Sequence, residues 1–153
     1  MLLRLALLVL PLALLSACAS THGPTHGWSA VLRRSQPTTR QFTYFELRRD
    51  GQLTYLAGPA AASTDPSALR PTWRGPLDDA EIASVSNLLN ALASAKEIEA
   101  DDGGVTYRLK FQRAGSFPKM LVTGPTPELD LLYAAFDQAQ RRRRTEELSM
   151  PVR

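Results

Sequence analysis

The stretch "QFTYFELRRDGQLTYLAG", residues 41–58, decides the fold. Two β-prone runs flank Asp50-Gly51, and an Asp-Gly pair in that position predicts a hairpin with a two-residue loop, because both loop positions favour positive φ. In that register Leu47 faces Thr54 and Phe45 faces Leu56. One face then gathers Phe45, Leu47 and Leu56, while Glu46 and Arg48 point the other way. An apolar face of this kind has to be covered.

The cover is written downstream. In "LDDAEI", residues 77–82, Asp78 reads as an N-cap, with Glu81 at the third helical position and Leu77 and Ile82 placed for a hydrophobic staple. Ile82, Val85, Leu89 and Leu92 follow at helical spacing beside Leu88, giving one apolar stripe. In "VTYRLKFQR", residues 105–113, Val105, Tyr107, Leu109 and Phe111 alternate with polar residues, the signature of a half-buried strand. A turn at Ala114-Gly115-Ser116 leads to a partner strand over Phe117–Thr123, with Pro118 at its start. Thr126-Pro127 opens a last helix with Leu129, Leu132, Tyr133 and Phe136 on its apolar side, ending near Arg142.

The element order is ββαββα. An offset of 64 residues aligns "FELRRDG" (45–51) with "LKFQRAG" (109–115), and each hairpin closes on Gly-Pro. The expected class is α+β: a four-stranded antiparallel sheet made of two ββα units, with both helices on one face and the other face wet or used. Between the first hairpin and the first helix, "GPAAASTDPSALRPTWRGP" has four prolines in 19 residues and reads as an exposed loop.

Upstream of the hairpin the composition changes. "MLLRLALLVLPLALLSAC" has one positive charge, Arg4, then an apolar run from Leu5 to Leu15 broken by Pro11. This is the layout of a secretion signal. A spanning helix needs roughly 20 apolar residues, and this run is too short. Small residues lead into Cys18, the only cysteine of the chain; a lone thiol cannot form an internal disulfide.

Leu15-Ser16-Ala17-Cys18 resembles the lipobox of bacterial lipoproteins. The resemblance implies that residues 1–17 are removed as a signal peptide, that the Cys18 sulfur carries a diacylglycerol, and that its new amino terminus is acylated, with palmitate among the usual chains. It also implies location in the cell envelope, and Ala19 after the cysteine favours the outer membrane facing the periplasm. The bilayer is then a partner through acylated Cys18, since two or more acyl chains anchor stably where one does not. Residues 19–40 are rich in Thr, Gly, Pro and Ser and read as the rest of a lipid-anchored tether over 18–40, with Trp28 to Leu32 able to dock. The expected division is thus tether 18–40, domain 41–142 and polar tail 143–153.

Charge excludes some functions. The chain has 18 Lys and Arg against 15 Asp and Glu; removing residues 1–17 takes away Arg4 and no acid, leaving 17 against 15, or +2. So slight a basicity, on an exported chain, argues against nucleic acid as a partner. An envelope protein is the other partner considered.

The candidate sites are few. His22 and His26 lie in a repeated "THG"; helical spacing would present both imidazoles to a metal, but Gly23, Pro24 and Gly27 oppose helix and no third ligand is near. A catalytic histidine on a linker also lacks rigid support. Glu97, Glu99, Asp101 and Asp102 cluster oxygens suited to a hard cation without the rhythm of a calcium loop, and a solvated turn is the plainer reading. No metal or other cofactor is expected. Arg141, Arg142, Arg143 and Arg144 either complement a helix C-terminus or contact anionic lipid headgroups. Tyr44, Tyr55, Trp73 and Tyr107 either pave a binding surface or fill core and cover.

Over residues 42–136 the layout of hairpin, loop, "L-x-x-x-E" helix, "DGGVTYRLKF" and a leucine-rich helix is similar to emfourin-like inhibitors of secreted thermolysin-type metalloproteases. Arg49-Asp50-Gly51-Gln52 stands where a Gly-Gly-Phe stretch is expected, so no inhibitory residue transfers. Together these features predict a non-catalytic binding or envelope-structural module. The alternatives are a metalloprotease inhibitor, acting through an exposed loop within 58–76, and an envelope hydrolase, for which no polar side chains converge in the sequence.

Overall fold

The strand at the centre of the sheet is the first in the chain. The computed structural model describes residues 27–65, 69–95 and 104–149. In it Trp28–Gln36 forms β1, Gln41–Leu47 β2, Gln52–Ala57 β3, Trp73–Pro76 β4, Asp79–Ala93 α1, Thr106–Arg113 β5, Lys119–Thr123 β6 and Pro127–Ser149 α2. The strands make one sheet in the order β4-β3-β2-β1-β5-β6, antiparallel at every pairing.

The class is α+β with two helices and an antiparallel sheet, as expected, but the sheet has six strands rather than four. Both additions come from segments read as irregular. β1 lies in the stretch assigned to the tether, and β4 in the proline-rich loop. β1 is a strand because Trp28, Ala30 and Leu32 alternate onto the core face, all under 8% exposed, and because β2 and β5 hydrogen-bond to its two edges. The folded domain therefore begins at residue 28 or before, not at 41. β1 separates β2-β3 from β5-β6, so the two ββα units flank a shared strand and do not pair directly. Gly51 and Gly115, the glycines aligned by the 64-residue offset, both have φ of +78°.

The first hairpin keeps its glycine turn and shifts its register by one residue. Leu47 pairs with Leu53 and Phe45 with Tyr55. The Arg48 N–H donates to the Gln52 carbonyl at 2.9 Å and the Gly51 N–H to the Arg48 carbonyl at 3.0 Å, so the loop has three residues, with glycine in the left-handed region. Side chains alternate along a strand, and a one-residue slip exchanges the two faces of β3. Leu53 and Tyr55 join Phe45 and Leu47 in the main core, and Leu56 goes to the opposite face with Tyr44.

The helices form where the sequence places them. Asp78 and Glu81 make a reciprocal capping box on α1: the Glu81 N–H donates to Asp78 Oδ1, and the Asp78 N–H to Glu81 Oε2, both at 2.8 Å. Its stripe of Ile82, Val85, Leu89 and Leu92 is buried. Full burial of one such side chain stabilises by about 1.5–3 kcal/mol. At the start of α2 the Leu129 N–H donates to Thr126 Oγ1 at 3.3 Å. The helix runs on to Ser149, through much of the expected polar tail, supported by an i,i+4 pair between Asp137 and Arg141. Leu129, Leu132, Phe136 and Ala139 of α2 join the α1 stripe and the inner residues of the sheet in one cluster. Phe45, fully buried, stands at its centre with Tyr55, Tyr133 and Phe136 at centroid distances of 5.2, 5.7 and 5.4 Å.

The second sheet face is only half covered. A 3-10 turn at Pro59–Ala62 folds back on β2, where Ala61, Tyr44 and Leu56 form a small cluster flanked by Val31, Phe42 and Leu69. Toward β5 and β6 the same face carries Arg108, Lys110, Met120 and Val122, all exposed.

Candidate functional site

Several residues singled out in the sequence lie outside the described residues: Leu15, Ser16, Ala17, Cys18, His22, His26, Glu97, Glu99, Asp101 and Asp102. Among the described residues no three His, Cys, Asp or Glu side chains group as metal ligands. No described helix is long and apolar enough to cross a membrane.

The arginine run is placed where its charges meet acids. Arg141 Nε lies 2.8 Å from Asp137 Oδ2. Arg142 Nη2 is 2.7 Å from Asp78 Oδ2 and 2.9 Å from Glu81 Oε1, and Arg143 Nη2 is 2.8 Å from Glu81 Oε2. Two of the four guanidinium groups thus clasp the N-terminus of α1. Hydrogen bonds from the Glu81 backbone and from Arg142 to its ionised form hold the Asp78 carboxyl below the usual range.

The aromatic residues take separate places. Tyr107 is buried, and its hydroxyl donates to Asp130 Oδ1 at 2.7 Å; desolvation and then that bond push its pKa above the ordinary tyrosine value. Trp73 is buried in the core. Tyr44 faces the other way, donating to Glu46 Oε2 at 3.1 Å. Burial, then the Glu46 charge, raise it to about 12.

Two clefts open on this second face. One, of about 160 Å³, is lined by Tyr44, Glu46, Thr54, Leu56, Leu69, Pro71 and Arg74. The other, of about 220 Å³, lies between β1, β5 and the turn after β3, with Arg33, Ser35, Phe42, Thr64 and Arg108 among its lining. Arg33 and Arg108 are direct cross-strand partners on β1 and β5. The Arg33 guanidinium lies 5.3 Å over the Tyr44 ring, and its Nη1 donates to the Ser63 carbonyl at 2.7 Å. Arg34, also in the lining, lays its guanidinium 5.3 Å over Tyr133 of α2, so the charge that the second face turns toward this cleft comes from Arg33 and Arg108.

Sequence reasoning missed this pairing. By sequence Arg33 falls in the tether over 18–40, and Arg108 is an outward residue of a strand. The available signal was the run "WSAVLRRSQ", residues 28–36, whose first half alternates as a strand does. No protein-family model matches the chain, and no curated protein matches it in sequence.

Proposed function

We propose that this chain is a bacterial lipoprotein, held to the envelope by acyl chains on Cys18 and presenting its α+β domain as a non-catalytic binding module. The observation that carries this reading is Leu15-Ser16-Ala17-Cys18 at the end of a short apolar run that begins after a single positive charge. The position of the domain agrees with it. Trp28, the first residue of β1, is ten residues from Cys18, so even an extended connection keeps the sheet within about 35 Å of the bilayer. Ala19 after the cysteine supports export to the outer membrane, with the domain in the periplasm.

The binding role rests on the half-open sheet face, where polar clefts and exposed cations occur together. An envelope component is the partner that such a tether can reach.

The test is the intact mass and membrane partitioning of the protein made in a bacterial host, wild type beside Cys18→Ala. Lipid mass on the wild type and flotation with membranes, both lost in the variant, are the expected result. Equal solubility of the two, with no added mass, overturns the anchor.

A further inference from the structure

The cleft between β1 and β5 has an electrostatic arrangement that the fold alone does not explain. Arg33 and Arg108 stand directly opposite each other, and like charges in that position destabilise a sheet. Arg33 is partly occupied by Ser63 and Tyr44. The Arg108 side chain is exposed and has no ion-pair or hydrogen-bond partner among the described residues. Among the described residues no carboxylate lines the space; apart from Arg34, turned toward Tyr133, the other polar side chains there are the hydroxyls of Ser35 and Thr64. Glu46, the acid nearest in register on this face, pairs with Val31 rather than Arg33 and accepts from Tyr44.

We propose that this cleft binds a phosphoryl oxyanion, with the guanidinium groups of Arg33 and Arg108 on opposite sides of it and the Ser35 and Thr64 hydroxyls as further donors. A tetrahedral phosphoryl oxyanion bridging two guanidiniums converts a repulsion into two charge-assisted contacts, and the planar fork of arginine suits phosphate oxygens. The volume of about 220 Å³ is that of about seven waters, enough for a phosphate with the first carbons of an ester. The turn Pro59–Ala62 and Thr64 wall one side. Inorganic phosphate and a lipid headgroup share this chemistry, and the site does not depend on acylation of Cys18.

The experiment uses the full chain with Cys18→Ala throughout, so that no acyl chain contributes. Inorganic phosphate is titrated against chloride at matched ionic strength by calorimetry. Binding is then measured to phosphatidylglycerol vesicles, with and without competing phosphate. Saturable binding of phosphate that also displaces the vesicles assigns free phosphate; vesicle binding that phosphate does not displace assigns the headgroup. In either case Arg108→Gln is expected to weaken binding about tenfold or more, while Lys110→Gln, an exposed cation outside the cleft, changes it less than twofold. Arg33→Gln also removes the tie to Ser63, so its result is read only where its thermal unfolding matches that of Arg108→Gln. Equal losses in the Arg108 and Lys110 variants would show diffuse surface charge and overturn the site. The proposal is likewise overturned if neither phosphate nor vesicles bind above the chloride control.

Discussion

Glu81 at the third position of α1 and Arg143 in α2 meet at 2.8 Å with both side chains less than one-fifth exposed. The same Glu81 carboxylate closes the capping box and receives Arg142. One side chain therefore ends one helix and fastens another to it. Glu81→Ala is expected to destabilise by about 2 kcal/mol, since it removes a cap contact and the nearer of two acids beside Arg143, leaving Asp78 at 3.9 Å. Urea denaturation measures this. A double-mutant cycle with Arg143→Met should show coupling of about 1 kcal/mol or more; strict additivity would deny the clasp.

Asp78 gives this end of α1 an acid limit. Its folded carboxyl titrates below the ordinary value of 3.8, so its contribution is complete above that value and is lost as pH falls through the lower folded one. Asp78→Asn keeps an N-cap oxygen and removes the charge. Its Tm should fall less steeply than that of the wild type below about pH 4, and parallel curves would contradict the assignment.

Tyr44 sets a limit at the alkaline side. Its pKa rises from 10.0 to about 12 in the folded protein; stability is therefore complete below 10 and declines as pH rises toward 12. Absorbance titration should show a late tyrosinate that Tyr44→Phe removes, and the variant should lose less stability between pH 10 and 12 than the wild type does.

Trp28 tests whether β1 belongs to the fold. It is 7% exposed and packs on Phe111 at a centroid distance of 5.8 Å, so Trp28→Ala should cost about 3–5 kcal/mol. A chain starting at residue 41 loses the strand between β2 and β5 altogether and should lack cooperative thermal unfolding by circular dichroism. A sharp transition in that fragment would return residues 28–36 to the tether.

Gly115 isolates backbone strain from crowding. Its φ is +78° and an added Cβ would meet nothing within 4 Å, so Gly115→Ala should destabilise by about 1 kcal/mol through conformation alone. Gly75 is the contrast: a Cβ there would run into the Trp73 indole, and Gly75→Ala should also change tryptophan fluorescence.

What the sequence disclosed follows the range of the interactions. The α1 capping box lies within four residues and was legible in full, as was the alternation of Tyr107, Leu109 and Phe111. β1 was not, because its strand character is settled by β5, which is far along the chain, and because consecutive Arg33 and Arg34 hide the alternation. Arg34 faces inward with its charge over Tyr133 and its Nη2 donating to Gln36 Oε1. β4 has glycine and proline among its four residues and reads as a loop until β3 is beside it. In the first hairpin Asp-Gly named the turn, but the loop has three residues where two were expected, and that difference decided on which face Leu56 lies. The cleft was illegible for the same reason as β1: no local pattern brings Arg33 to Arg108.

The place of β1 also governs the order in which the fold can be completed. Ala30 pairs with Phe111, about 80 residues later, and such separations make closure slow. In a chain made from its N-terminus, β1 to β4 can assemble as a meander while one long edge of β1 has no neighbour. That edge is a template for any other strand until residues 106–113 arrive. The segment most enclosed in the finished sheet is thus the one longest at risk of mispairing before the sheet closes.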